Sequence, residues 1–265
     1  MIMYFFMALC FLPAILCFAG FLFFSKTPFS SLIAASLLGL LAVVPTTFLQ
    51  TFFAFLSPYA EYSESSGFVR LLIQVILFNG LFEELFKTAL IALIPSKRLT
   101  FRQFFIVSLL FGISLASFES AVYFLHYLRN AQASGATLLV HLIFLRVFSS
   151  DLIHVACAGL CGLFVWSIRA KRADVLALVF AVLVHGVFDF FGYFEGAAHW
   201  FLYAAVLFAL CECRIHYVRL NPDADDASQN ETIIVFEQEP EPGQKKRRLD
   251  EGAAIISETK PENSD

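Results

Sequence analysis

Two glutamates and a lysine lie in the middle of a long apolar stretch of the chain. Glu83, Glu84 and Lys87 occupy the centre of residues 69–94, which are enough to cross a membrane as one helix. A charge at the centre of such a helix costs about 2.5–3.5 kcal/mol on an insertion scale. Because such residues are carried in lipid when they face a protein interior and find partners, this cluster indicates a functional site.

The spacing of these three residues separates their possible tasks. Glu83 and Lys87 are four residues apart, so they share a helix face and can form an ion pair. Glu84 is rotated by about 100° from Glu83. One carboxylate can therefore be held by Lys87 while the other transfers a proton, and the spacing does not decide which. A purely structural ion pair is the alternative.

Three later apolar segments also carry polar residues near their centres. They are Glu119 and Tyr123 on the fourth segment, Arg146 and His154 on the fifth, and His185 and Asp189 on the sixth. At about 1.5 Å of rise per residue, the glutamates and histidines fall within roughly 5 Å of their segment centres, with Asp189 about 7 Å toward the outer side. Independent structural polar groups would scatter in depth, so this convergence favours one site.

Glutamate, aspartate and histidine side chains together are typical of a divalent metal site. Histidine and carboxylate ligands with an open water position describe a catalytic zinc. Such a metal lowers the pKa of its bound water toward about 7, and a nearby glutamate accepts the proton. Without a metal, Glu83 or Glu84 with His154 would activate water directly, and His185 would hold the oxyanion.

Neighbouring residues are placed to support this site. Asp151 precedes His154 by three residues and is placed to accept its ring N–H. Tyr123 lies one turn after Glu119 and is placed to hydrogen-bond that carboxylate. Cys157 and Cys161 have the spacing of zinc ligands, but their small neighbours favour close helix packing.

The composition predicts an all-α polytopic membrane protein. Of 265 residues, 59% are hydrophobic and 33 are phenylalanines, which leaves too little polar surface for a soluble fold. About seven transmembrane helices are predicted, with the site between the third, fourth, fifth and sixth. The predicted spans are 2–24, 30–56, 69–94, 103–128, 137–168, 174–194 and 198–218. The fifth is too long for one perpendicular span, so we expect a tilt or a turn before Arg146.

Basic residues in alternate loops predict the orientation. Lys26, the loop around Lys97, and the loop around Lys171 lie on one side, which puts the N-terminus outside and the C-terminus in the cytoplasm. Residues 1–220 then form the transmembrane domain. Residues 221–265 hold 12 acidic and 5 basic residues and are expected to be a disordered cytoplasmic tail. No nucleic-acid motif occurs, so no nucleic-acid partner is expected.

Four of these motifs together resemble the PrsW family of bacterial intramembrane proteases. They are Glu83-Glu84-x-x-Lys87, Phe118-Glu119-x-x-x-Tyr123, Arg146-x7-His154 and His185-x-x-x-Asp189, in order over residues 69–194. The resemblance implies that the glutamate pair and His154 are essential and that Glu119 and His185 complete the site. It also implies a bacterial cell membrane location and a membrane-anchored protein substrate, such as an anti-sigma factor.

The sequence therefore predicts an intramembrane metalloprotease-like peptidase in the lipid bilayer. Glu83 or Glu84 is the expected general base, with His154 as a further catalytic residue. A divalent metal, expected to be zinc, would be held by Glu119, His154, His185 and Asp189, with Lys87, Tyr123 and Arg146 in support. An ion or proton transporter that uses the same layer of residues, or a scaffold without catalysis, is the alternative.

Overall fold

The computed structural model describes residues 2–56, 67–130 and 135–221 of the chain. Within these ranges the backbone forms helices and short turns and contains no strand, which confirms the all-α prediction. The α-helices are α1 (Ile2–Phe24), α2 (Phe29–Leu56), α3 (Phe68–Val75), α4 (Phe82–Ala92), α5 (Phe101–Asn130), α6 (Gly135–Val147), α7 (Ser150–Arg169), α8 (Val175–Gly192) and α9 (Phe201–Leu220). One π-helical turn (Ile76–Leu81) joins α3 to α4, and a 3-10 turn (Gly196–Trp200) precedes α9.

Each predicted span overlaps one of these helices or a pair of them. Among the described residues, five helical stretches are long and apolar enough to cross a membrane: Phe29–Phe48, Phe101–Leu125, Val140–Arg169, Val175–Gly192 and Gly196–Leu220. In α1, which corresponds to the first predicted span, the apolar stretch Leu12–Phe24 is shorter than these five. The third is divided by the π turn into α3 and α4. The polytopic fold is confirmed, and the number of seven spans stays a prediction.

The long fifth span is divided, at a place different from the one predicted. Helix α6 ends at Val147 and α7 begins at Ser150, so the turn follows Arg146 and does not precede it. At the turn, the Ser149 hydroxyl donates to the backbone oxygen of Leu145 over 2.8 Å. Serine side chains that bond the preceding turn in this way loosen a helix. Arg146 therefore lies in the last turn of α6, beside α7.

Helix α5 lies at the centre of the bundle. It packs against α1, α2 and α7, and α7 packs in turn against α4, α8 and α9. Small residues permit this close packing. A Cβ atom on Gly112 of α5 would lie 2.7 Å from the backbone oxygen of His154 on α7. The backbones that carry Glu119 and His154 are therefore in direct contact.

The π turn brings α8 close to the glutamate pair. A Cβ atom on Gly80 would lie 2.5 Å from the backbone oxygen of Val182, and one on Gly186 would lie 2.7 Å from the Cα of Ile76. Only glycine permits so close an approach of the two backbones. Because Gly186 follows His185 directly, this contact fixes the distance between His185 and α4.

The Gly186→Val variant is expected to destabilise the protein by about 1–3 kcal/mol, because the new side chain meets the backbone of Ile76 and pushes α8 outward. Denaturant unfolding in detergent measures the effect. Gly192→Val on the same helix is the control, since a Cβ atom there meets no atom within 4 Å. Equal stability of the two variants would contradict the proposed contact.

The acidic tail predicted for residues 221–265 lies outside the described residues from position 222 onward. Helix α9 ends at Leu220. The division of the chain into a transmembrane domain and a cytoplasmic tail stays a prediction.

Candidate active site

The predicted site residues meet in one buried cluster. Helix α4 carries Glu83, Glu84 and Lys87, and the other members come from α5, α6, α7 and α8. Glu84 and Lys87 are 0% exposed, and His154, His185 and Glu83 are 3%, 2% and 8% exposed. The common depth expected from the sequence corresponds to direct contact of these side chains.

Glu84 is fully occupied by its neighbours. Its Oε1 atom lies 2.6 Å from Lys87 Nζ and 2.6 Å from His185 Nδ1. The Cys161 thiol lies 3.3 Å from its other oxygen, Oε2. Cys161 thus packs against the site from α7, as the packing interpretation of this cysteine requires. With both oxygens bound and no exposure, Glu84 is suited to orient His185 and poorly placed to receive a proton from water.

Glu83 presents a carboxylate oxygen that lacks a hydrogen bond. Its Oε1 atom lies 3.1 Å from Lys87 Nζ, 3.2 Å from His154 Nδ1 and 3.9 Å from His185 Nε2. These distances permit electrostatic attraction, but the buried oxygen has no hydrogen-bond donor among the described residues. A buried charged atom without a donor is costly. Glu83, and not Glu84, therefore faces the centre of the site.

His154 is held from both sides of its ring. Its Nδ1 atom lies 2.9 Å from Lys87 Nζ, and its Nε2 atom lies 2.5 Å from Glu119 Oε2. A lysine ammonium group only donates hydrogen bonds, so Nδ1 accepts and Nε2 carries the proton that is donated to Glu119. Glu119 therefore binds the nitrogen that faces away from Glu83.

His185 presents its Nε2 atom to the centre of the site. Its Nδ1 atom donates to Glu84, so the lone pair lies on Nε2. That atom lies 3.9 Å from Asp189 Oδ1 as well as 3.9 Å from Glu83 Oε1. Glu84, by contrast, holds Nδ1, the nitrogen on the far side of the ring. A carboxylate in that position is the usual partner of a metal-binding histidine.

Asp189 lies at the more open edge of the cluster. Its side chain is 24% exposed, as is that of Glu119. Asn79 Nδ2 donates to Asp189 Oδ2 over 3.1 Å. The sequence motifs assigned no task to Asn79. Its position in an apolar segment, four residues before Glu83, was a signal that it belongs to the site.

Arg146 joins Glu119 to two serine hydroxyls and an aromatic ring. Its Nη2 atom donates to Glu119 Oε1 over 3.2 Å and to Ser150 Oγ over 2.9 Å, and Nε donates to Ser120 Oγ over 3.0 Å. The guanidinium carbon lies 4.2 Å from the centre of the Tyr123 ring, a cation–π contact. Tyr123 thus contacts the arginine and not, as expected, the carboxylate of Glu119.

The predicted bond between Asp151 and His154 is wrong. Asp151 Oδ1 accepts from Ser120 Oγ over 3.0 Å, while both ring nitrogens of His154 have other partners. At three residues' separation on α7, the two side chains point to different neighbours, and the closely packed α5 provides the acceptor for His154.

Three residues have the arrangement of a metal site. One ligand atom from each of Glu83, His154 and His185 lies within 4.8 Å of the other two. Two histidines and a glutamate form one of the known ligand sets of catalytic zinc. The Glu83 oxygen without a donor fits a cation, so the residues present suit the group. Glu119 and Asp189, predicted as ligands, lie outside this set of three.

One comparison with known proteins identifies the family of the chain. The family model described as PrsW family intramembrane metalloprotease matches residues 27–211. The chain belongs to the PrsW family. The match extends from the residues before α2 into α9 and includes every residue of the cluster, which confirms the resemblance seen in the four motifs. PrsW membership and the apolar helices together identify a multi-pass membrane protein. No curated protein and no solved structure matches the chain.

Proposed function

We propose that this PrsW family member is an intramembrane endopeptidase that holds a zinc ion on Glu83, His154 and His185. It would hydrolyse a peptide bond of a membrane-anchored protein, such as a single-span regulator of the anti-sigma type, in the bacterial cell membrane. The observation that carries this proposal is the buried Glu83 oxygen, which faces two imidazole nitrogens and lacks a hydrogen-bond donor.

The charge balance of the cluster supports a divalent cation. Five carboxylates, those of Glu83, Glu84, Glu119, Asp151 and Asp189, share two cationic side chains, Lys87 and Arg146. With neutral imidazoles the excess is three negative charges, which is unfavourable within a membrane. A divalent cation at the three proposed ligands would reduce that excess to one.

We assign the carboxylates separate tasks. Zinc bound here would polarise the scissile carbonyl group and lower the pKa of a water molecule. Glu84 and Glu119 orient His185 and His154 by accepting their distal N–H groups. Asp189, partly exposed and anchored by Asn79, accepts the proton of the attacking water. This assignment moves the general base from the glutamate pair to Asp189.

Lys87 competes with a cation for one ligand atom. Its ammonium group lies 2.9 Å from His154 Nδ1 and 2.6 Å from Glu84 Oε1. A cation held by His154 would therefore displace the ammonium group from Nδ1, and Lys87 would keep its ion pair with Glu84. Lys87 would then balance the charge of Glu84, and the cation would balance that of Glu83.

The more open edge of the cluster indicates how substrate reaches it. Asn79, Tyr123, Arg146 and Asp189 all lie toward the end of the bundle where α3 begins and α8 ends. In the opposite direction the site is closed by fully or almost fully buried side chains: Ile91, Cys157, Cys161 and Ala181. With the orientation predicted from the loops, water and the peptide bond enter from the outer half of the membrane.

Cleavage of a single-span reporter by the purified protein in liposomes tests this function. Wild-type protein is expected to cleave the reporter, to lose cleavage when a chelator removes zinc, and to regain it with one equivalent of zinc. Ion flux measured in the same liposomes separates the transporter alternative. Undiminished cleavage by protein free of zinc would refute the proposed role of zinc. Ion flux without cleavage would refute the proposed protease activity.

A further inference from the structure

We propose that Ser120 and Asp151 are positioning residues that set the orientation of the His154 imidazole through Arg146 and Glu119. This inference rests on the proposed function, because His154 is one of the proposed zinc ligands. Neither Ser120 nor Asp151 contacts the cluster of ligand atoms directly. Their influence depends on a chain of directed hydrogen bonds that crosses from α5 to α6 and α7.

The Ser120 hydroxyl determines the direction of this chain. Arg146 Nε has only a proton to give, so Ser120 Oγ accepts over 3.0 Å. The single hydroxyl proton must then go to another acceptor, and Asp151 Oδ1 lies 3.0 Å away. Asp151 thus keeps the lone pair of Ser120 aimed at Arg146.

The other edge of the guanidinium transmits this orientation to His154. Arg146 Nη2 donates to Glu119 Oε1, which leaves Glu119 Oε2 for the Nε2–H group of His154. Because the guanidinium is planar and rigid, fixing Nε also fixes Nη2. Lys87, which donates to Nδ1 over 2.9 Å, places the proton on Nε2, and the anchored Glu119 fixes the direction in which this N–H group points.

The burial of Asp151 argues that its charge is used. The residue is 0% exposed, and its Oδ2 atom has no hydrogen-bond partner among the described residues. A buried carboxylate with one hydrogen bond is unfavourable for folding. A role in helix packing alone would be better served by an apolar side chain, whereas an anchored Arg146 requires a hydrogen-bond acceptor behind Ser120.

The hydrogen bond from His154 Nε2–H to Glu119 is a readout that a merely structural role would not change. In zinc-free protein with ¹⁵N-labelled histidine, NMR should show His154 protonated at Nε2 with this proton far downfield, the signal being identified by its loss in His154→Gln. Because Lys87 still donates to Nδ1, Ser120→Ala and Asp151→Ala should keep the tautomer. The less firmly held Glu119 should move the Nε2–H signal upfield and let its proton exchange faster with solvent. Both variants should also weaken zinc binding about 10-fold in a chelator competition, the lower range for losing a residue behind a metal ligand.

Ser117→Ala is the matched control. Ser117 lies one turn before Ser120 on α5, is 0% exposed, and its hydroxyl has no hydrogen-bond partner among the described residues. It should leave the Nε2–H signal and the zinc affinity unchanged. Ser120→Thr keeps the hydroxyl and should restore both. If Asp151→Ala does not fold, Asp151→Leu, which has a similar shape and no hydrogen-bond acceptor, replaces it and should give the same change of the Nε2–H signal.

An unchanged His154 Nε2–H signal in folded Ser120→Ala and Asp151→Leu would overturn the inference. So would equal effects of Ser117→Ala and Ser120→Ala. The NMR measurement needs neither zinc nor substrate, so it decides the positioning role even where wild-type protein fails to cleave a reporter. Failure of the proposed protease and failure of this inference are therefore distinguishable.

Discussion

The Glu83→Gln variant is expected to lose zinc and proteolytic activity together. Glutamine has nearly the same size, but its neutral amide is a poor zinc ligand, and it removes one of only three proposed ligands. The kcat/KM for reporter cleavage should fall by about 10³-fold, near the upper limit for loss of one group that stabilises a transition state. That factor corresponds to about 4 kcal/mol.

The Asp189→Asn variant tests whether Asp189 is a zinc ligand or the acceptor of the water proton. We expect it to retain zinc and to lose about 10²–10⁴-fold in kcat, the usual contribution of a general base. Glu195→Gln, the same change as at Glu83 in an exposed position before α9, should alter neither property. Elemental analysis and reporter cleavage on the same preparations measure both effects.

The Glu83→Gln and Asp189→Asn variants test two different assignments. Stoichiometric zinc in Glu83→Gln would exclude Glu83 as an indispensable ligand and return it to the role of general base. Full activity of Asp189→Asn would exclude Asp189 as the proton acceptor. Because one variant is expected to lose zinc and the other to keep it, the assignments fail independently.

The depth of the site was predictable because helix rise is regular. Counting about 1.5 Å per residue places Glu83, Glu119, His154 and His185 in one layer without any knowledge of packing. Burial of charge in an apolar segment then requires that these residues meet. The helices themselves were equally accessible, since hydropathy and length suffice to identify them.

The choice of partners within the layer was not predictable from spacing. Which carboxylate reaches which imidazole nitrogen depends on how each helix is rotated. The π turn at Ile76–Leu81 changes that rotation just before Glu83 and Glu84, and we find no signal in its sequence that predicts it. Glu84 therefore binds both Lys87 and His185, in addition to the ion pair between Lys87 and Glu83 that the spacing predicted.

Partners that come from a different helix were missed for a related reason. Asp151 and Tyr123 were matched to residues on their own helices, because only those distances follow from sequence. Their observed partners, Ser120 and Arg146, depend on the contact between α5, α6 and α7. Close packing at Gly112 creates that contact, and a single glycine in a sequence does not specify which helix it faces.

The Lys87→Met variant is expected to lower the free energy of unfolding by about 3–5 kcal/mol, the usual cost of removing one partner from a buried ion pair. Methionine nearly preserves the length and volume of the side chain, so the loss reports charge and not packing. Glu84, at 0% exposure, would lose the ammonium group that lies 2.6 Å from its carboxylate. Denaturant titration of the protein in mixed micelles, followed by circular dichroism, measures the change.

Two further variants separate the buried charge from other effects of this substitution. Lys97→Met, the same change in an exposed loop, should stay within about 0.5 kcal/mol of wild type. The double variant Lys87→Met with Glu84→Gln should regain part of the lost stability, because it no longer buries the unpaired carboxylate of Glu84. A double variant less stable than Lys87→Met alone would show that Glu84 stabilises the fold without Lys87. The ion pair would then not be the reason that this charged residue is carried in the centre of the bundle.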